Sequence, residues 1–126
     1  PLDWRLLEKQ AIAESGLDPD AVSPVGAKGL TQFMDVTWKE WEVNEFGPAI
    51  PPNRHVSVFD PEDAIRAQAD VMGWLLGVWE GDARKSLASY NFGLGNVRKT
   101  IEKHGDRWEE FLPLETKQYL GRIFHG

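Results

Sequence analysis

At 126 residues the chain is long enough to bury one hydrophobic core, and its 41% hydrophobic and 27% charged residues are ordinary for a globular protein. A formal charge of -6, with the basic residues scattered, argues against nucleic-acid or anionic-membrane partners, which are held largely by Lys and Arg. The lack of cysteine excludes a disulfide scaffold, a thiolate zinc site and a thiol nucleophile, while six Trp against two Tyr leave aromatic walls to spare.

In chain order, Asp3 is placed to cap a helix in which Trp4, Leu7, Ala11 and Glu14 follow the i, i+3, i+7 spacing of one face, and Gly16 is placed to stop it. Pro19, Ser23, Pro24, Gly26 and Gly29 predict an irregular loop from Leu17 to Gly29. A second helix holds Trp38, Trp41 and Val43, opened by Thr37 or Asp35 and closed by Gly47. From Gly47 to Phe59 three prolines predict coil. Asp60-Pro61-Glu62-Asp63 then supplies a cap, a proline at the first helical position and early acidic residues, with Ile65, Ala69, Met72 and Leu76 on one face.

A shorter helix is expected from Asp82 to Tyr90, broken by Asn91-Phe92-Gly93-Leu94-Gly95, and another from Asn96 to His104 before Gly105. Trp108, Phe111 and Leu112 are expected to pack ahead of a last helix, Leu114 to Phe124, with Leu114, Tyr119, Leu120 and Ile123 at helical spacing. No alternating strand stands out. The expectation is an all-α fold with little or no β structure, one domain over residues 1–126 with irregular loops and no repeats. The longest apolar stretches, such as Val71 to Trp79, are too short for a bilayer, so no integral membrane segment is expected. A chain that opens directly on a helical pattern reads as a domain excised from a longer protein.

Among the polar residues, Glu14 stands out because it continues an apolar stripe into the last turn of its helix. The negative end of the backbone dipole and burial by neighbouring Trp and Leu side chains both disfavour a carboxylate there. A carboxyl that keeps its proton near neutral pH suits glycosidic cleavage, in which the departing sugar oxygen must be protonated. The competing explanation is a rim-of-core Glu paired with a Lys or Arg.

The residues after Glu14 decide between these. The run Glu14-Ser15, then Ser23-Pro24-Val25-Gly26-Ala27-Lys28-Gly29-Leu30-Thr31-Gln32-Phe33-Met34, strongly resembles the signature of soluble, goose-type-lysozyme-like lytic transglycosylases. Ala88-Ser89-Tyr90-Asn91-Phe92-Gly93-Leu94-Gly95-Asn96-Val97 is similar to that family's second block, and Glu115-Thr116 with Tyr119 to its third. The blocks stand in the family's order and frame nearly the whole chain.

The resemblance implies a lysozyme-like fold with a substrate groove and the cleavage of peptidoglycan between N-acetylmuramic acid and N-acetylglucosamine. It makes Glu14 the lone acid and base, and 1,6-anhydromuramoyl ends the product. By the same resemblance the substrate is bound by Ser23, Gly29, Gln32, Met34, Tyr90, Asn91, Glu115 and Tyr119, with the Tyr90 phenol close to the glutamate. For Ser23 a turn cap, for Met34 and Tyr119 core packing, for Asn91 a helix cap and for Glu115 a helix-dipole partner are the alternative roles. Thr31, Phe33, Asp35 and Phe92 depart from the family's usual residues, and none of them removes a proton-transfer group.

Two other functions stay open. A muramidase of the same fold would use Asp35 or Asp18 to position water, and a non-catalytic glycan-binding module of a wall or phage-tail assembly would keep the groove alone. His55, His104 and His125 show no metal-ligand pairing, and no cofactor is implied. The partners expected are glycan strands, the oligomeric state a monomer, and the place of action the bacterial cell envelope, for a protein of bacterial or phage origin.

Overall fold

The computed structural model describes residues 3–47, 50 and 55–125. Of the coil expected between Gly47 and Phe59, residues 48, 49 and 51–54, which include its three prolines, lie outside the described residues. Among the described residues six α-helices follow one another: α1 Trp4–Ser15, α2 Asp35–Glu42, α3 Pro61–Val78, α4 Ala83–Phe92, α5 Leu94–His104 and α6 Leu114–His125, with a 3-10 helix, Gly105–Phe111, ahead of the last. Among the described residues the β structure is limited to the isolated bridges Val22–Lys28 and Lys28–Phe33. The all-α expectation is met. The chain divides into two compact units, residues 1–74 and residues 75–126, and α3 runs through the division.

In the first unit α1 begins and ends as the sequence predicts. The Asp3 carboxylate accepts from the Arg5 N–H at 3.0 Å, and Gly16 takes the left-handed conformation, its N–H donating to the Ile12 carbonyl at 2.8 Å. Helix α2 opens at Asp35 but stops at Glu42, well short of the expected Gly47. The reason is Asn44, which adopts a left-handed φ of 61° and donates to the Trp41 carbonyl. Asn tolerates that conformation better than other residues with a Cβ, so the helix ends without a glycine. Trp38 and Trp41 are buried with ring centroids 4.8 Å apart, and Phe33 meets Trp38 edge-on at 5.5 Å. The Trp41 indole N–H donates to Asp70 at 2.8 Å, so the bulkiest ring of this core also has its polar atom satisfied.

Helix α3 starts where the sequence places it, with the Asp60 carboxylate accepting from the Asp63 N–H at 3.0 Å. Its buried face is turned by one residue from the predicted one. Ala64, Ala67, Gln68, Val71, Met72 and Leu75 are buried, whereas the expected Ile65 is 46% exposed and Ala69 and Leu76 are only partly covered. Ala64 lies at the centre of the buried face's first turn. Its methyl side chain is fully buried, and its carbonyl accepts from the Thr31 hydroxyl at 3.2 Å.

In the second unit α4 is capped by Asp82, whose carboxylate accepts from the Lys85 N–H at 3.0 Å. The five-residue interruption expected after Tyr90 shrinks to Gly93 alone. At φ 102° this glycine ends α4 by donating to the Ser89 carbonyl, and its own carbonyl accepts from Val97 to begin α5. The Asn96 side chain donates to the Phe92 carbonyl at 2.8 Å, which satisfies one of the acceptors left over at the helix end.

Helix α4 packs against α5 and α6, and α5 against the 3-10 helix, an element the sequence reading did not foresee. Trp108 and Leu112 are buried as expected. Phe111 is not: half exposed, it stacks on the His104 ring at 3.6 Å between centroids. Leu114, expected on the buried face of α6, is also exposed, and Thr116 joins Tyr119, Leu120 and Ile123 there. Arg84 grips Glu109 through two nitrogens at 2.7–3.1 Å, and this pairing raises the guanidinium pKa further.

Candidate active site

Glu14 lies in the last turn of α1 and is partly buried, with its Oε1 shielded from solvent. The next residue anchors this helix end. The Ser15 hydroxyl donates to the Leu30 carbonyl at 2.7 Å and accepts from the Asp18 N–H at 3.1 Å, so one short side chain ties the turn carrying Glu14 to both ends of the following loop. The sequence alone assigns Ser15 no role beside Glu14. A small hydroxyl at a helix end, followed by a loop that needs anchoring, was the available signal.

The loop is irregular, as expected, yet closely cross-linked. Two hydrogen bonds join Ser23 and Ala27: the Ser23 N–H donates to the Ala27 carbonyl at 2.8 Å, and the Ala27 N–H donates to Ser23 Oγ at 3.0 Å. Lys28 and Phe33 exchange both backbone bonds at 2.9 Å. The Gln32 amide donates to the carbonyls of Gly29 and Ala21 at 2.9 and 3.3 Å, while its backbone holds a left-handed φ of 54°. Ser23 therefore has the turn-capping role that the sequence left open, and the Gln32 amide stiffens its own loop.

Gly29 is a position that only glycine fits. A Cβ there would overlap the Val58 carbonyl oxygen, and φ is 80°. Met34 is not core: it is 44% exposed at the N-terminal cap of α2. Of the departures from the family pattern, Phe33 fills the core against Trp38, Thr31 bonds the Ala64 carbonyl, and Asp35 pairs with Lys28 at 3.1 Å in the first turn of α2. The Asp18 carboxylate accepts from the Asp20 N–H at 2.9 Å, a local turn contact.

One further polar group lies a turn before Glu14. Gln10 is fully buried and its Oε1 accepts from Gln68 Nε2 at 3.0 Å, while the same Gln68 nitrogen donates to the Leu7 carbonyl at 2.9 Å. These contacts join α1 to α3 inside the first unit.

In the second unit Tyr90 and Asn91 occupy the last turn of α4, both partly covered. Asn91 does not cap the helix: its side-chain oxygen accepts from the Thr116 hydroxyl at 2.8 Å and so fastens α4 to α6. Glu115 is exposed in the first turn of α6, where a carboxylate suits the positive end of the helix dipole. Tyr119 is buried at 2% exposure. The structure thus gathers Glu14, Ser23, Gly29, Gln32 and Met34 in one unit and Tyr90, Asn91, Glu115 and Tyr119 in the other.

The family model for the transglycosylase SLT domain matches residues 2–111. The chain is 29% identical over 141 aligned residues to membrane-bound lytic murein transglycosylase F of Haemophilus influenzae (strain PittGG), covering 99% of this chain and 27% of that protein. It is 30% identical over 118 residues to membrane-bound lytic murein transglycosylase D of Escherichia coli (strain K12), covering 89% of this chain and 25% of that protein. Among solved structures, an inactive mutant of lytic transglycosylase Slt from Pseudomonas aeruginosa superposes with a TM-score of 0.82 at 28% identity, covering 97% of this chain and 20% of the other. The 70 kDa soluble lytic transglycosylase from Escherichia coli does so with a TM-score of 0.76 at 26% identity, covering 98% of this chain and 21% of the other. The chain spans about a quarter of the length of the curated relatives it matches.

Proposed function

The chain belongs to the transglycosylase SLT domain family, and from that premise we propose that it cleaves the glycan strands of peptidoglycan as a lytic transglycosylase, with Glu14 as sole acid and base. The observation that carries this reading is a carboxyl with a shielded oxygen, held at a helix end by the Ser15 anchor. Protonated Glu14 gives its proton to the oxygen joining N-acetylmuramic acid to N-acetylglucosamine, and the bond from that oxygen to C1 breaks. The resulting carboxylate takes the proton of the muramoyl C6 hydroxyl, whose oxygen bonds to C1. A 1,6-anhydromuramoyl end forms, no water is consumed, and Glu14 is protonated again. A second carboxylate is not needed as nucleophile, unlike the usual two-carboxylate scheme.

Two contacts favour this over the muramidase alternative. Asp35 is drawn to Lys28 at the surface and Asp18 is engaged in its own turn, so each carboxylate already has a local partner. Of the remaining site residues, Ser23, Gly29, Gln32, Met34, Tyr90, Asn91 and Glu115 take the substrate-binding roles that the family resemblance implies, while Tyr119, at 2% exposure, takes the alternative role of core packing. The protein works on the bacterial wall as a monomer, and no helix among the described residues is long and apolar enough to cross a membrane. Glu14→Gln is the test: the amide is nearly isosteric but has no proton to give. The variant should keep its helical circular dichroism and bind glycan strands while releasing no product, and mass spectrometry of parent digests should show anhydro ends. Product release by the variant would reject Glu14, and purely reducing ends from the parent would reject the transglycosylase chemistry.

A further inference from the structure

The orientation of the Gln10 amide follows from its neighbours. A backbone carbonyl only accepts hydrogen bonds, so the Gln68 atom 2.9 Å from the Leu7 carbonyl is its nitrogen. That nitrogen also donates to Gln10 at 3.0 Å, so the Gln10 atom facing it is the oxygen. The Gln10 nitrogen is therefore turned the other way, and it is buried with no hydrogen-bond partner among the described residues.

A buried donor left unused is costly, and replacing Gln10 by an apolar residue would remove the cost. Its position suggests why it stays. Gln10 and Glu14 are four residues apart on α1, so they share one face with Cβ atoms about 5–6 Å apart. Helical side chains lean toward the N-terminus, and for Glu14 that is the direction of the turn that holds Gln10. Both the Gln10 nitrogen and Glu14 Oε1 are shielded from solvent.

We propose that Gln10 is a positioning residue for Glu14: its amide nitrogen, oriented by Gln68, supports the Glu14 carboxylate directly or through one water after the proton has left for the glycosidic oxygen. This rests on the reading of Glu14 as the acid and base. A carboxylate appears at Glu14 only between the two half-steps, so a donor held ready for it favours the transition state leading there and adds nothing to glycan binding. The donor need not touch substrate, and at zero exposure Gln10 does not.

The test compares Gln10→Met with Gln68→Met, using soluble uncross-linked glycan strands. Both variants remove the amide-to-amide bond, and Gln68→Met also gives up the bond to the Leu7 carbonyl. If the pair were only a clamp, Gln68→Met would lose at least as much stability and as much activity. The proposal expects the orders to cross: Gln10→Met melts at or above Gln68→Met yet has the lower kcat, about 10- to 100-fold below the parent, with KM unchanged. Equal kcat values in the two variants, or a kcat that follows the melting temperature, overturn it. Should Gln10→Met not fold, Gln10→Asn replaces it, since the shortened side chain withdraws the nitrogen and the same crossing is required. Glu14→Gln separates the two readings. If it stays active the proposed function fails, and if it is inactive while the orders do not cross, only the role of Gln10 fails.

Discussion

Replacing Gly29 by Ala places a methyl carbon where the backbone of Val58 already stands. The added Cβ would overlap the Val58 carbonyl oxygen and lie 3.1 Å from its carbonyl carbon, so the main chain itself must move. The left-handed φ of 80° costs an L-residue about 1–2 kcal/mol, and overpacking against backbone adds about 1–3 kcal/mol. Segment 57–59 resists the movement because the Ser57 N–H is bonded to Asp63 and the Phe59 N–H to the Ser57 hydroxyl. The sum, about 2–5 kcal/mol, corresponds to a melting temperature lower by about 8–20 °C for a chain of this length. Gly26→Ala is the control: its φ is 90° but nothing lies within 4 Å of the new Cβ, so only the conformational cost applies. Thermal unfolding followed by circular dichroism measures both. If the two variants melt together, the close approach at Val58 is not what demands glycine at position 29.

Three further outcomes follow from individual contacts. Ser15→Ala strands the Asp18 N–H and the Leu30 carbonyl, which should cost about 1–3 kcal/mol in urea unfolding, and it should lower kcat because the helix end bearing Glu14 is untied. Trp41→Phe keeps the ring contact with Trp38 but leaves Asp70 without its indole donor, for a loss of about 1–3 kcal/mol in the same assay. Glu45→Gln should raise the melting temperature at pH 7 and change it little near pH 3. Partial burial, then the charge of Glu45 and a hydrogen bond with it, hold the Glu40 carboxyl above its usual range. Glu40 therefore binds its proton more firmly folded than unfolded, a contribution present below the ordinary carboxylate pKa and lost as the pH rises through the raised value. An equal effect of Glu45→Gln at both pH values would contradict this.

Local rules sufficed where the information is local. Asp3 and Gly16 bound α1, Asp60 caps α3 and Asp82 caps α4, because a cap is a contact between residues two to four apart. The ordered motif blocks likewise pointed to the family, and to Glu14, from the order of side chains alone. Boundaries and faces read from glycine positions and periodicity failed even where the deciding contact was local. The end of α2 fell to Asn44, the interruption after Tyr90 contracted to Gly93, and Phe111 and Leu114 remained exposed.

The sequence by itself therefore determined an all-α chain, most of its helix starts and the carboxyl on which the proposed chemistry depends. Only the tertiary structure decided which face of α3 is buried, that Gly29 meets Val58, that Ser15 ties down the end of α1, and that Gln68 turns the Gln10 amide. Each of these rests on a contact between residues 15 to 58 positions apart. Periodicity and capping report on single turns of helix, whereas the approach of two distant backbones depends on how all the intervening side chains fill space together.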